Sequence, residues 1–225
     1  MESKIYEYTS TDDAGRDETV TVTWDQKRCI HAAACVKNLP DVFDPDRRPW
    51  IDPDQADPDA IEDAVMQCPT GALHLTRDSE DPETAPAETH VAVFPNGPLL
   101  VRGDVEVVNS DGEVVLHDTR MALCRCGRSG NQPLCDGSHD DGFDDEGTLQ
   151  VEQLSGDAPN GTHDGPVRIQ MAEGGPLLIQ GPLTLEGSNG TSCAGSKGAL
   201  CRCGASDNKP YCDGSHHTAD VELHG

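Results

Sequence analysis

The sequence is short of the residues that build a conventional core. Aromatic side chains make up 4% and hydrophobic residues 35% of 225 positions. Small domains with so thin a supply usually need staples, and disulfides or metals are the usual ones. Lysine is nearly missing, with only Lys4, Lys27, Lys37, Lys197 and Lys209. No apolar run approaches membrane-spanning length. Met1 to Thr21 is polar and charged, without the apolar segment of a secretory leader. A cytoplasmic protein is therefore expected, and in that compartment cysteines serve as metal ligands or catalysts more often than as disulfides.

Positive charge is also scarce. Lys+Arg number 16 against 41 Asp+Glu, a formal net charge of −25. Such a surface repels nucleic acid and anionic membrane, so neither is expected as a partner. The lysine deficit resembles the halophilic composition of proteins from salt-loving microbes, whose acidic surfaces stay soluble when salt screens their repulsion. The alternative is an ordinary acidic carrier that docks basic partners.

Ten cysteines stand against these absences. Residues 124–139 read CRCGRSGNQPLCDGSH and residues 201–216 read CRCGASDNKPYCDGSH, identical at twelve of sixteen positions. Upstream, Gly97-Pro-Leu-Leu-Val-Arg-Gly103 is echoed by Gly175-Pro-Leu-Leu-Ile-Gln-Gly181. The echoes lie 78 residues apart (175 − 97) and the cysteine motifs 77 (201 − 124), so a unit has been duplicated. Residues 156–166, rich in Gly, Pro, Asp and Asn, connect the copies. Before the first motif, His90–Phe94, Leu99–Val101, Val105–Val108 and Val114–Leu116 read as short strands between turn clusters. Val167–Gln170 and Leu177–Ile179 repeat this in the second copy.

The N-terminal region has a different pattern. Thr19-Val-Thr-Val-Thr-Trp24 alternates as a strand does. A helical stretch is expected from Cys29 to Lys37. A second is expected from Asp57, as N-cap with Pro58 in the first turn, to Gln67, with Ile61, Ala64 and Val65 inward. Gly71–Leu75 returns as a strand. Residues 77–89, acidic and broken by Pro82 and Pro86, read as a linker.

In each repeat the donors follow Cys-x-Cys-x8-Cys-x3-His: Cys124, Cys126, Cys135, His139 and Cys201, Cys203, Cys212, His216. Four soft or borderline ligands in sixteen residues can enclose one metal centre. Spacing alone admits zinc, for which three cysteines and a histidine are a common structural set. The stretch C-x-C-x2-S-x3-P-x-C-D-G-S-H resembles the CDGSH iron–sulfur family, with no departure at a ligand. The resemblance implies a [2Fe-2S] cluster in each repeat, with Cys124 and Cys126 on one iron and Cys135 and His139 on the more exposed one. Cys201 with Cys203, and Cys212 with His216, are the counterparts. Family members form a strand-built two-fold dimer, so tandem copies imply an intrachain pseudo-dimer. A neutral imidazole in place of a thiolate raises a cluster's potential and lets protons compete for the ligand.

The remaining set is Cys29-x5-Cys35 with Cys68 followed by Pro69. Cys-Pro closing such a set looks like the last ligand of a bacterial ferredoxin. Residues 19–76 resemble the divergent single-cluster ferredoxin domains. The fourth cysteine of that pattern would fall at Ala32. Three thiolates imply a [3Fe-4S] cluster; His31, one place off, is the candidate fourth ligand of a [4Fe-4S] cluster. A metal-free core set is the third reading. Cys193 is read as a free thiol, and His74, His90, His117, His163, His217 and His224 as ordinary surface or loop residues.

The expected architecture is α+β. A small ferredoxin-like α+β domain (1–76) and an acidic linker (77–89) precede two β-rich CDGSH units (90–155 and 167–225) joined by the 156–166 connector. No nucleophile–base pair, phosphate loop or substrate pocket is encoded, so an enzyme is not expected. The expected work is electron transfer with redox partner proteins, a reductase or an acceptor. Delivery of a cluster to an apo-acceptor, or redox and pH sensing, is the alternative.

Overall fold

The alternation at residues 19–24 puts Val20 and Val22 on one face, and both are fully buried in strand β2 (Val20–Asp25). The computed structural model describes residues 4–11, 18–77, 83–159 and 165–223, and the chain divides into two compact units, Met1–Thr84 and Ala85–Gly225. Residues 78–82 of the expected linker and 160–164 of the connector lie outside the described residues.

In the first unit β2 is the middle of a three-stranded antiparallel sheet, flanked by β1 (Ile5–Thr9) and β3 (Leu73–Arg77). Helix α1 (Ala34–Asn38) starts later than the sequence suggests. His31 and Ala33 hold left-handed backbone, φ 55 and 57, which a right-handed helix cannot include. Helix α2 (Pro58–Met66) has Pro58 in its first turn and buries Ile61, Ala64 and Val65 as expected, though the Asp57 side chain closes no capping bond. These residues pack with Val22, Phe43, Ile51 and Leu73 into the unit's core.

The second unit is β-rich. Its strands are β4 (Thr89–Val93), β5 (Leu99–Val108), β6 (Val114–Leu123), β7 (Val167–Met171), β8 (Leu177–Glu186) and β9 (Ser192–Leu200). The runs Leu99–Val101 and Val105–Val108 are one strand, continuous across a register shift between Arg102 and Val105. Gly103 sits at that shift, and a Cβ there would fall 2.3 Å from the Thr89 hydroxyl at the start of β4.

Strands also pair between the repeats. β4 runs antiparallel to β5 and parallel to β8, with Thr89 opposite Leu183. Its counterpart β7 runs antiparallel to β8 and parallel to β5, with Val167 opposite Val105. One core results, shared by Leu99, Val105 and Leu123 of the first repeat and Ile169, Leu183 and Leu200 of the second. The chain is mostly β with two α-helices among the described residues. Among the described residues no helix is long and apolar enough to cross a membrane.

Candidate metal centres

Strand β6 ends at Leu123 and runs directly into the first cysteine motif. Cys124 donates its N–H to Pro133 O at 2.8 Å and Cys135 donates to Ala122 O at 2.8 Å, folding the loop back onto the strand end. Cys201 to Pro210 O (2.8 Å) and Cys212 to Ala199 O (2.9 Å) repeat the construction after β9. The donors meet in twos. Cys124 Sγ and Cys126 Sγ are 3.6 Å apart, and Cys135 Sγ and His139 Nδ1 3.2 Å. In the second repeat the separations are 3.5 Å for Cys201 and Cys203 and 3.3 Å for Cys212 and His216 Nδ1. Two thiolates at about 2.3 Å from one tetrahedral ion stand roughly 3.7 Å apart, so each pair is spaced to share one ion. Among the described residues no three Cys, His, Asp or Glu side chains converge on one single-ion position.

Each histidine follows a glycine, Gly137 or Gly214, at φ 92 or 91, and stands in a one-turn helix. Asp136 fixes the turn by accepting from Ser138 N (3.0 Å), Ser138 Oγ (2.6 Å) and Gly130 N (2.8 Å). Burial works against the Asp136 carboxylate, but these bonds hold it below the usual carboxylate range. Burial lowers the His216 pKa, and the neighbouring His217 lowers it further, which favours the neutral imidazole a metal needs.

The thiols respond to the same enclosure. Burial pushes Cys135 up to about 12 and raises Cys201 and Cys212. The close contact between the Cys124 and Cys126 sulfurs lowers the Cys124 pKa and raises that of Cys126. Backbone N–H groups of Ser129 and Gly127 face Cys124, and those of Gly137 and Gly214 face Cys135 and Cys212. Buried thiols ringed by amide donors are poised for ionisation once a cation offsets their burial, and a bound metal supplies one.

The two loops pack back to back. Cys126 and Cys203 form an antiparallel bridge. A Cβ on Gly127 would lie 2.6 Å from Cys203 O, and one on Gly204 2.6 Å from Cys126 O. Two arginines that sequence reasoning missed lie between each cysteine pair and are 1% exposed. Arg125 Nε donates to Gly97 O and Nη2 to Phe94 O, both at 2.7 Å, and Nη1 pairs with Asp145. Arg202 Nε donates to Gly175 O and Nη2 to Ala172 O, also at 2.7 Å. The glycine that opens each upstream echo therefore supplies one of the carbonyls that hold its guanidinium group, and the invariance of Arg between the two motifs was the available signal. Burial lowers the Arg202 pKa, and the nearby Cys124 of the other repeat acts in the opposite sense.

In the first unit Cys29, Cys35 and Cys68 line one cavity, walled by Trp24, Trp50, Ala32 and Pro69 among others. Cys29 ends a short 3-10 turn, Cys35 lies in α1, and Cys68 follows α2 with its N–H on Val65 O at 2.9 Å. Arg28, also missed, braces the third ligand loop by donating Nη2 to Thr70 O at 2.9 Å. Burial raises the Cys29 thiol and pushes Cys35 up to about 11. Three such thiols in one apolar cavity suit a polynuclear, sulfur-ligated centre. Ala32 lines this cavity, whereas His31 is exposed and outside its lining.

The remaining residues have other settings. Cys193 is buried with its sulfur 3.0 Å from the Tyr211 hydroxyl. His74 meets Glu83 at 3.2 Å and His117 meets Asp104 at 2.7 Å. His90 lies 3.9 Å from Glu88, and His217 stacks against His216 with ring centroids 4.1 Å apart. His163 and His224 lie outside the described residues.

The second unit carries paired sulfur and imidazole donors on two β-rich repeats, and the first carries a three-cysteine cavity, donor sets of a metal-binding protein. Family comparison agrees. A divergent 4Fe-4S mono-cluster family matches residues 16–78, and the family described as iron-binding zinc finger, CDGSH type, matches residues 96–140 and 174–217. The chain belongs to these families, one mono-cluster domain followed by two CDGSH-type domains. Uncharacterized protein YjdI of Escherichia coli strain K12 is 34% identical over 56 residues, 25% of this chain and 74% of that relative. YjdI of E. coli O157:H7 matches to the same extent. No solved structure matches the chain.

Proposed function

We propose that this protein is a one-electron carrier with two [2Fe-2S] clusters and one [3Fe-4S] or [4Fe-4S] cluster, and not an enzyme. The observation that carries the reading is the spacing of donors in twos, 3.6 and 3.2 Å in one repeat and 3.5 and 3.3 Å in the other. That spacing favours a binuclear centre over a single zinc ion. Cys124 with Cys126, and Cys201 with Cys203, hold the inner irons; Cys135 with His139, and Cys212 with His216, hold the outer ones. When bound, such clusters accept and release single electrons at potentials set by charge, hydrogen bonds and exposure. The chain's part is to bury the thiolate pairs, aim amide N–H groups at them and, at His216, favour the neutral imidazole.

The reciprocal pairing of β4 with β8 and of β7 with β5 supports an intrachain pseudo-dimer. Cys29, Cys35 and Cys68 hold the third cluster. The net charge of −25 fits docking to a basic reductase or acceptor in the cytoplasm of a salt-loving microbe. A second reading, cluster delivery to an apo-acceptor or redox and pH sensing, draws on Cys212, which is only part-buried at the imidazole end of its site.

Iron, zinc and sulfide analysis of anaerobically purified protein, with visible and spin-resonance spectra, tests the proposal. About seven or eight irons per chain, matching sulfide and reversible reduction without iron loss are expected. Colourless zinc protein would overturn it. Transfer of the visible signal to an added apo-ferredoxin would favour delivery.

A further inference from the structure

The chain has two tryptophans, and both wall the cavity of Cys29, Cys35 and Cys68. The indole Nε1 atoms of both are buried and close no hydrogen bond at full bonding geometry. Buried donors are rarely left unpaired, so each calls for an acceptor. Trp50 has one at hand, since its N–H is turned to the Tyr8 hydroxyl. Trp24 Nε1 closes no hydrogen bond among the described residues, and its ring lines the same cavity as Cys29. Its indole favours the Cys29 thiolate, against the burial that raises that thiol.

The ring of Trp24 is held in place. Its strand position is fixed on both sides, opposite Tyr6 in β1 and Leu73 in β3. Tyr6 packs on it with centroids 5.4 Å apart, and Trp50 meets it edge-on at 4.9 Å. A thiol sulfur is a weak acceptor, but a thiolate bound to iron carries negative charge and accepts well. The donor is therefore pre-positioned for an acceptor that exists only when the centre is loaded.

We propose that Trp24 is a positioning residue whose indole N–H donates to the Cys29 sulfur of the loaded N-terminal centre and raises that centre's reduction potential. The inference rests on the reading that this unit holds an iron–sulfur cluster. Reduction adds one electron to the centre, and the proton stays on the indole nitrogen. A hydrogen bond to ligand sulfur stabilises the more negative, reduced state more than the oxidised one, which is the reason the potential rises.

The test uses the full chain, purified anaerobically. The spin-resonance signal that disappears in Cys68→Ser identifies the N-terminal centre. Its potential is then titrated in the wild type and in Trp24→Phe. Trp24→Phe keeps a flat apolar ring but removes the N–H. It is expected to move the midpoint negative by several times the replicate scatter, with iron and sulfide unchanged. Pulsed spin resonance after exchange into deuterated water should show an exchangeable proton coupled to the centre in the wild type and absent from Trp24→Phe. If Trp24→Phe does not load, indole-15N labelling of the Trp50→Phe chain supplies the same readout as a nitrogen coupling. An unchanged midpoint in loaded Trp24→Phe, or no exchangeable-proton or nitrogen coupling in the chains that keep Trp24, overturns the inference alone. Absence of any Cys68-dependent signal in the wild type overturns the cluster reading beneath it, and the inference with it.

Discussion

His139 and His216 each put a protonatable donor beside a cysteine sulfur, their Nδ1 atoms standing 3.2 and 3.3 Å from Cys135 and Cys212. A proton on the imidazole competes directly with iron, whereas a bound thiolate resists protonation better. Replacing either histidine with cysteine adds a negative charge to that centre. His139→Cys and His216→Cys are each expected to lower the midpoint potential of their own site and slow loss of its visible absorbance at about pH 5–6, several-fold or more. Stopped-flow decay and redox titration check this, and an unchanged decay rate in both variants would mean that protons enter elsewhere. The candidate donors of the two repeats were legible from spacing, because each Cys3His set lies within sixteen residues. Arg125, Arg202 and Arg28 were not. Their carbonyl acceptors at Gly97, Gly175 and Thr70 lie 27 to 42 residues away, and no local pattern announces such contacts.

At the level of loops and strands, the two cysteine motifs support each other through their backbones. Gly127 has φ 77 and Gly204 φ 78, and each approaches the other motif too closely to carry a side chain. Gly137 has a similar positive φ, 92, but open space around it. Gly137→Ala is therefore expected to cost about 1–2 kcal/mol of backbone strain. Gly127→Ala should cost about 1–3 kcal/mol more through overpacking against Cys203. It should weaken both [2Fe-2S] signals although one motif is altered, leaving the N-terminal signal intact. Thermal melts with visible spectra compare the two variants, and equal losses would show that the contact contributes nothing. Alternating β-formers made β2 and β4 readable. The sequence β9, Ser-Cys-Ala-Gly-Ser-Lys-Gly-Ala-Leu, offers few β-formers and was passed over. Its small residues have a tertiary cause: a Cβ on Gly195 or Gly198 would fall 2.8 or 2.6 Å from the Leu154 side chain.

For the whole molecule, a net charge of −25 over 225 residues sets self-repulsion against a core lean in aromatics. The Debye length falls from about 10 Å at 0.1 M salt to about 3 Å at 1 M, so added salt relieves repulsion between surface carboxylates. The melting temperature is expected to rise by several degrees or more between about 0.1 and 2 M potassium chloride, as followed by circular dichroism. A flat response would overturn the halophile reading and leave an ordinary acidic carrier. The sequence by itself determined the donor atoms, the duplication and the surface charge, because each is written in residue identity or short-range spacing. Tertiary structure decided which donors pair, how β4 and β7 cross between the repeats, and that Trp24 and Cys29 line one cavity. Those outcomes depend on chain segments far apart in sequence, brought together only when buried apolar faces find one another.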